Sequence, residues 1–280
     1  MTSDGATAPG GDAAGPTGLL PFDVTVAHQA RSYDYLLGGK DNYAADRVAG
    51  DKMLEVYPDT AFTARANRAF LGRVVRYLAA DAGVRQFLDI GTGLPTADNT
   101  HEVAQRLAPD SRIVYVDNDP VVLAHARALL TSSTEGKTAY LDADLRDPGK
   151  ILAQAAETLD FSQPVAVLLI AVLHFVQDSD DPRGIVTTLM DAVPSGSYLA
   201  LLHGASDVGA DDMPEAQRRY NERASARFSA RDREHVGRFF DGLELTGPGL
   251  VNLGRWPRLA AGGGSAPGDV AAYCGLARKP

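Results

Sequence analysis

The sequence predicts an α/β protein with an open, doubly wound and mostly parallel sheet behind an N-terminal helical cap. Three observations carry this expectation. Five apolar, β-branched runs recur along the chain, at Gln86 to Ile90, Arg112 to Val116, Lys137 to Leu141, Val165 to Ile170 and Tyr198 to Leu202. Helical patterns follow the middle three, each announced by an Asp-Pro pair: Asp119-Pro120, Asp147-Pro148 and Asp181-Pro182. Such a pair sets an N-cap acceptor before a proline at the first helical position. Finally, Val165 to Leu173 (VAVLLIAVL) is continuously apolar, as expected of a parallel strand buried on both faces.

In chain order, Met1 to Gly18 is Gly, Ala, Pro and Thr without periodicity. It cannot bury enough surface to offset its ordering entropy, so residues 1–21 are expected to be a disordered tail. Phe22 to Leu78 reads as helical, with Phe70, Leu71, Val74, Val75 and Leu78 on one face. Residues 22–75 are expected to form the cap and 76–280 the sheet domain. Behind the Asp-Pro caps, Ile151, Leu152, Ala155 and Leu159 recur at helical spacing, as do Ile185, Leu189 and Val193. Pro214 to Phe240 looks like one long helix, Leu243 to Leu253 and Ala271 to Arg278 like two last strands, and Gly262 to Gly268 like an exposed loop.

Composition narrows the function. A chain of 280 residues that is 45% hydrophobic can build a sizeable core. Its 36 acidic against 27 basic residues give a formal charge of -9, which disfavours nucleic acid or an anionic membrane as partner and favours small molecules. One cysteine, Cys274, excludes an internal disulfide and any Cys-based zinc site, and no metal is expected. No apolar run is long enough to span a bilayer and no secretory leader is evident, so the expected location is the cytoplasm.

In an open α/β sheet, ligands bind beyond the carboxyl ends of the strands. After the first run comes Asp89-Ile90-Gly91-Thr92-Gly93, a turn whose glycines let the backbone approach a ligand. The second ends at Asp117-Asn118, where a carboxylate can accept from two vicinal ribose hydroxyls. The third is followed by Asp144 and Leu145, placed for an adenine amino group and ring nitrogen, and the fourth by Ala171 to His174 at the reacting end. A nicotinamide dinucleotide is the nearest competitor. Two features oppose it: Thr96, after Pro95, stands in place of the third glycine, and Asp89 would repel a pyrophosphate but welcome an ammonium. That local charge favours S-adenosyl-L-methionine.

His174 is the candidate general base, with His203 behind it. Methyl transfer from a sulfonium depends mainly on orientation and desolvation and needs no strong base. Tyr33, Lys40, Asn42 and Tyr43, in YDYLLGGKDNY, are candidates for a lid or substrate wall; the same stretch also reads as a helix, a glycine cap and a second helix capped by Asp41. Lys40 lacks the spacing of a phosphate-binding loop. Arg65 and Arg68 could meet a methionine carboxylate. Seven arginines, Arg218, Arg219, Arg223, Arg227, Arg231, Arg233 and Arg238, read as a solvated helix face or as a site for an anion.

The acidic-x-Gly-x-Gly turn, the acid ending the second run and the Asp after the third resemble class I S-adenosylmethionine-dependent methyltransferases. ARSYDYLLGGKDNYAADR, Ala30 to Arg47, followed by LDIGTGLPT, resembles a bacterial S-adenosyl methyltransferase family once catalogued as a domain of unknown function. The resemblance implies a Rossmann-like, seven-stranded sheet of order 3-2-1-4-5-7-6 and methyl transfer to an O or N nucleophile of a small molecule. Pro95 departs from the general motif. A non-catalytic module binding S-adenosylmethionine or a partner, and an NAD-dependent dehydrogenase, are the alternatives; oligomeric state is left open.

Overall fold

The computed structural model describes residues 23–95, 98–129, 132–208, 217–218, 221–222, 227–256 and 269–280. The expected tail (1–21), the loop at 262–268, and Thr96, Arg219 and Arg223 lie outside the described residues.

The sheet is built from β1 (Gln86–Ile90), β2 (Arg112–Asp117), β3 (Lys137–Asp142), β4 (Ala166–Ile170), β5 (Tyr198–Gly204), β6 (Glu244–Leu245), β7 (Val251–Asn252) and β8 (Ala272–Arg278). Its order is β3-β2-β1-β4-β5-β8-β6, with β7 also on β8. The first five strands pair in parallel, and β8 runs antiparallel to β5. The expected strand at Leu243 to Leu253 is split: Leu245 pairs with Ala277 and Val251 with Cys274, and Thr246 still donates to the Leu276 carbonyl, so Gly247 to Leu250 bulges from the edge. Pro248 has no N–H to donate and Gly249 takes a left-handed φ of 85°, which breaks the ladder there. Eight segments thus occupy the seven expected places in the expected order.

Side chains alternate across the strands. Leu88, Ile90, Val114, Val116, Val167 and Leu169 point into one core with Ile151, Ala155, Ile185 and Leu189. Phe87, Ile113, Ala166 and Leu168 point into the other. Helices α1 (Gln29–Leu36), α2 (Ala44–Val56) and α3 (Thr60–Ala80) precede the sheet, followed by α4 (Thr100–Leu107), α5 (Pro120–Leu129), α6 (Pro148–Ala155) and α7 (Pro182–Asp191). The Asp-Pro starts work as caps: Asp119 accepts from the Val121 amide, Asp147 from Lys150 and Asp181 from Gly184. Phe70, Leu71, Val74, Val75 and Leu78 on α3 belong to the second core, and α3 runs unbroken across residue 75, the expected limit of the cap. No described helix is long and apolar enough to cross a membrane.

The expected helix from Pro214 to Phe240 is corrected. Residues 227–230 are not helical, Arg231 forms a parallel bridge with Ala205, and a new short helix covers Arg233–Gly237. The competing forces are tertiary hydrogen bonds: the Ser229 amide donates to the His174 carbonyl and the Arg231 amide to that of Gly204. Asp232 then caps the new helix through the His235 amide.

Candidate functional site

The crevice opens where the order reverses, between β1 and β4. Gly91 and Gly93 take φ values of 75° and 67°, which a side chain resists. A Cβ on Gly91 would also stand 2.3 Å from the Val172 side chain, whereas at Gly93 nothing lies within 4 Å. The first glycine is required for packing across β1 and β4, and the second leaves a bare backbone facing free space. Ala171, at the tip of β4, has a left-handed φ of 58°. Strain of that kind in a residue with a Cβ collects at functional sites, and nothing in the sequence announces it.

Asp89 is buried and accepts from the Thr100 hydroxyl at 2.6 Å. Burial raises its pKa from 3.8 to about 6, against the pull of Thr100 and the Arg68 charge. Asp117, also buried, accepts from the Gly93 amide and the Asp119 amide, each at 2.9 Å. Burial pushes its pKa up and these two N–H donors oppose the shift. Each carboxylate oxygen keeps lone-pair capacity for a further donor. Asp144 is held below the usual carboxylate range chiefly by Arg146, which binds it bidentately at 2.9 and 2.6 Å. The Asn118 amide reaches Asp144 at 3.4 Å.

A cavity of about 960 Å³ joins these strand ends to the cap. Asp89, Gly91, Thr92, Gly93, Asp117 and Asn118 line it, as do Asp144, Leu145, Ala171, His174 and Tyr33. Tyr33 donates to the Ala64 carbonyl at 2.9 Å, and burial pushes its phenol up to about 12. Lys40, Asn42 and Tyr43 are not on the cavity wall. The Asn42 amide donates to Asp34 and to the Gly39 carbonyl, Tyr43 joins Asp46 in a capping box at the start of α2, and Lys40 is exposed. Asp34 organises that turn: it also accepts from the Asp41 amide, and a Cβ on Gly39 would collide with its carboxylate. Of the two candidate arginines on α3, Arg68 lines the cavity and Arg65 does not.

His174 lies in a one-turn helix after β4. Burial holds it neutral, well below the usual imidazole range, with the neighbouring His203 and Arg231 adding to the shift. His203 is fully buried and off the cavity wall; its Nδ1 meets the Gly204 carbonyl at 2.8 Å and its Nε2 the Arg231 guanidinium at 2.7 Å. That arrangement is structural. The arginine-rich segment is not one solvated face either: Arg231 is buried, Arg218 and Arg238 pair with Glu222 and Glu234, and Arg233 donates to the Leu250 carbonyl.

Sequence reasoning missed His28, which lines the cavity and lies 2.9 Å from the buried Asp119. It also missed Asn67, a buried polar residue on the cavity wall. A signal for Asn67 existed, since it stands one turn before Phe70 and Leu71 on the apolar stripe of α3. Phe62, Phe175 and Phe228, which also line the cavity, offered none.

A parallel 3-2-1-4-5 core with the last strand slotted antiparallel beside β5, a glycine turn after β1 and an acid ending β2 define a class I S-adenosylmethionine-dependent methyltransferase. The comparisons agree. The S-adenosyl methyltransferase family model matches residues 19–280, and the chain belongs to that family. It is 47% identical to a DUF574 family protein from Streptomyces avermitilis MA-4680, covering 92% of this chain and 99% of that one with a TM-score of 0.87. A candidate methyltransferase from Thermobifida fusca YX is 40% identical, over 92% of this chain and 96% of that one, with a TM-score of 0.84. No curated protein matches the sequence.

S-adenosyl-L-methionine is thus the methyl donor, and the cavity residues suit it. Gly93 leaves open space where a Cβ would stand. The carboxylates of Asp89, Asp117 and Asp144 and the cationic Arg68 line the same cavity, a set of groups compatible with a ligand that carries hydroxyls, an ammonium and a carboxylate.

Proposed function

We propose that this enzyme transfers a methyl group to an O or N nucleophile of a small molecule held between the strand ends and the cap. The observation that carries the reading is the size and continuity of the cavity. At about 960 Å³ it reaches the top of the roughly 300–1,000 Å³ range of ligand pockets, and its acidic floor and aromatic wall offer separate places for two molecules. In this reading Asp117 holds the ribose hydroxyls, Leu145 and Asp144 the adenine edge, and Gly91, Thr92 and Gly93 the amino-acid portion. Asp89 supplies negative charge to the ammonium, and Arg68 faces the carboxylate. S-adenosylmethionine supplies an electrophilic methyl on a positively charged sulfur. The chain orients the acceptor in line and keeps water out. Calorimetry with S-adenosylhomocysteine and with NAD tests the assignment: S-adenosylhomocysteine binds and NAD does not, and tight binding of NAD alone would overturn it.

Asp89 adds a pH-dependent expectation. In the free protein its carboxyl is raised to about 6 by burial. An ammonium beside it favours the ionised form, so binding lowers that pKa and expels a proton. Affinity therefore rises as pH climbs to about 6 and levels off above it. At about pH 5.5, calorimetric heats of S-adenosylhomocysteine binding should differ between buffers of different ionisation enthalpy. Identical heats would remove Asp89 from contact with the ammonium.

A further inference from the structure

The end of the cavity beyond Ala171 is walled by aromatic rings. His174 and Phe175 lie 4.5 Å apart, His174 and Phe228 4.7 Å, and Phe175 and Phe228 6.1 Å, between ring centroids. Phe228 seats itself on the end of β5, where only a glycine leaves room: a Cβ on Gly204 would meet its ring at 2.5 Å. Phe62 of α3 lines the same cavity. Rings packed edge-to-face on one another form a wall against whose cavity side a flat π-system can lie.

His174 is the polar member of this wall. Its Nδ1 accepts from the Gly204 amide at 3.4 Å, so the neutral ring carries its proton on Nε2. No described residue bonds to Nε2, and the ring lines the cavity. In that tautomer His174 is a donor toward the ligand. The distinction decides which nucleophile fits. An amine nitrogen has one lone pair, and a donor that occupies it blocks the attack on the methyl group. An oxygen accepts the hydrogen bond on one lone pair and attacks with another.

We propose that the methyl acceptor is a planar aromatic compound bearing an ionisable hydroxyl, packed against the wall of Phe175, Phe228 and His174 with its oxygen bonded to the His174 Nε2–H, so that methylation falls on oxygen. This rests on the methyl-transfer reading above. The hydroxyl gives its proton to the buffer before transfer. The phenolate oxygen then forms a bond to the methyl carbon as the carbon–sulfur bond breaks, the electron pair stays on sulfur, and a methyl ether and S-adenosylhomocysteine result. Charged groups near this end are Arg227 and Asp180 on the wall, with Arg231 and the neutral His203 behind His174.

The test uses the full chain saturated with S-adenosylhomocysteine and three probes of one shape: 4-nitrophenol, 4-nitroaniline and nitrobenzene. Calorimetry at mildly alkaline pH should find 4-nitrophenol bound at least about tenfold more tightly than the other two, the scale of one charge-assisted hydrogen bond. His174→Phe should erase this preference while nitrobenzene still binds, and His174→Gln, whose amide can donate, should keep part of it. Equal or tighter binding of 4-nitroaniline, no binding of any probe, or an unchanged preference in His174→Phe would each overturn the proposal. Binding of S-adenosylhomocysteine is measured first: its absence in the wild type would instead sink the assignment of the cavity to the methyl donor. If His174→Phe fails to bind it, the wild-type preference and His174→Gln decide.

Discussion

Asp117→Asn is expected to cost about 1.5 to 3 kcal/mol of affinity for S-adenosylhomocysteine, roughly a ten- to hundredfold rise in Kd. Asp117 ends β2 beside the glycine turn, and its carboxylate already ties the Gly93 and Asp119 amides. A carboxylate that organises the turn and also accepts from ribose hydroxyls uses all its lone pairs. The asparagine amide replaces one acceptor oxygen with an NH₂, which in either orientation faces a backbone N–H, that of Gly93 or of Asp119, and can no longer accept from a ribose hydroxyl. Burial increases the effect, because water cannot restore the missing partner. Calorimetry on the variant, with circular dichroism as a check of folding, is decisive. A folded Asp117→Asn that binds as tightly as the wild type excludes Asp117 from the ribose site.

The parts of the fold that were legible in the sequence are those governed by local rules. The five parallel strands are apolar runs, and Asp119, Asp147 and Asp181 cap helices where Asp-Pro pairs predict them. Strand ends then bring Asp89, Asp117 and Asp144 to one crevice, since that follows from topology once the strands are known. What escaped depends on distant partners. The pattern from Pro214 to Phe240 has helical composition, yet the carbonyls of His174 and Gly204 draw residues 229–231 out of a helix, and no local preference contains those acceptors. Lys40, Asn42 and Tyr43 drew notice as polar and aromatic groups near glycines, but Asp34 gathers that turn about itself. The same limit hid the aromatic wall, because Phe175 and Phe228 come from distant stretches and meet only in the folded chain, where Phe62 lines the same cavity.

Arg231→Met is expected to destabilise the protein by about 3 kcal/mol, the lower end of the range for breaking a buried charged network. The guanidinium donates to Asp178 at 3.1 and 2.6 Å, to the Val176 carbonyl at 2.9 Å, to the Leu173 carbonyl at 3.5 Å and to His203 Nε2 at 2.7 Å. The Asp178 side chain is 87% exposed, so water can replace its partner and that ion pair contributes little. The cost comes from the other side: methionine leaves the two carbonyls and the imidazole nitrogen without a donor where water has poor access. In thermal unfolding this amounts to a fall in Tm of roughly 6 to 12 °C for a chain of this size. The same contacts hold the segment bearing Phe228 against the ends of β4 and β5, away from the β1 and β2 turns. Binding should therefore divide, with S-adenosylhomocysteine affinity kept within about threefold and 4-nitrophenol affinity falling by about tenfold or more. A loss of stability below about 1 kcal/mol would show that the network is dispensable. Equal losses for both ligands would show that Arg231 supports the whole site and not its acceptor end.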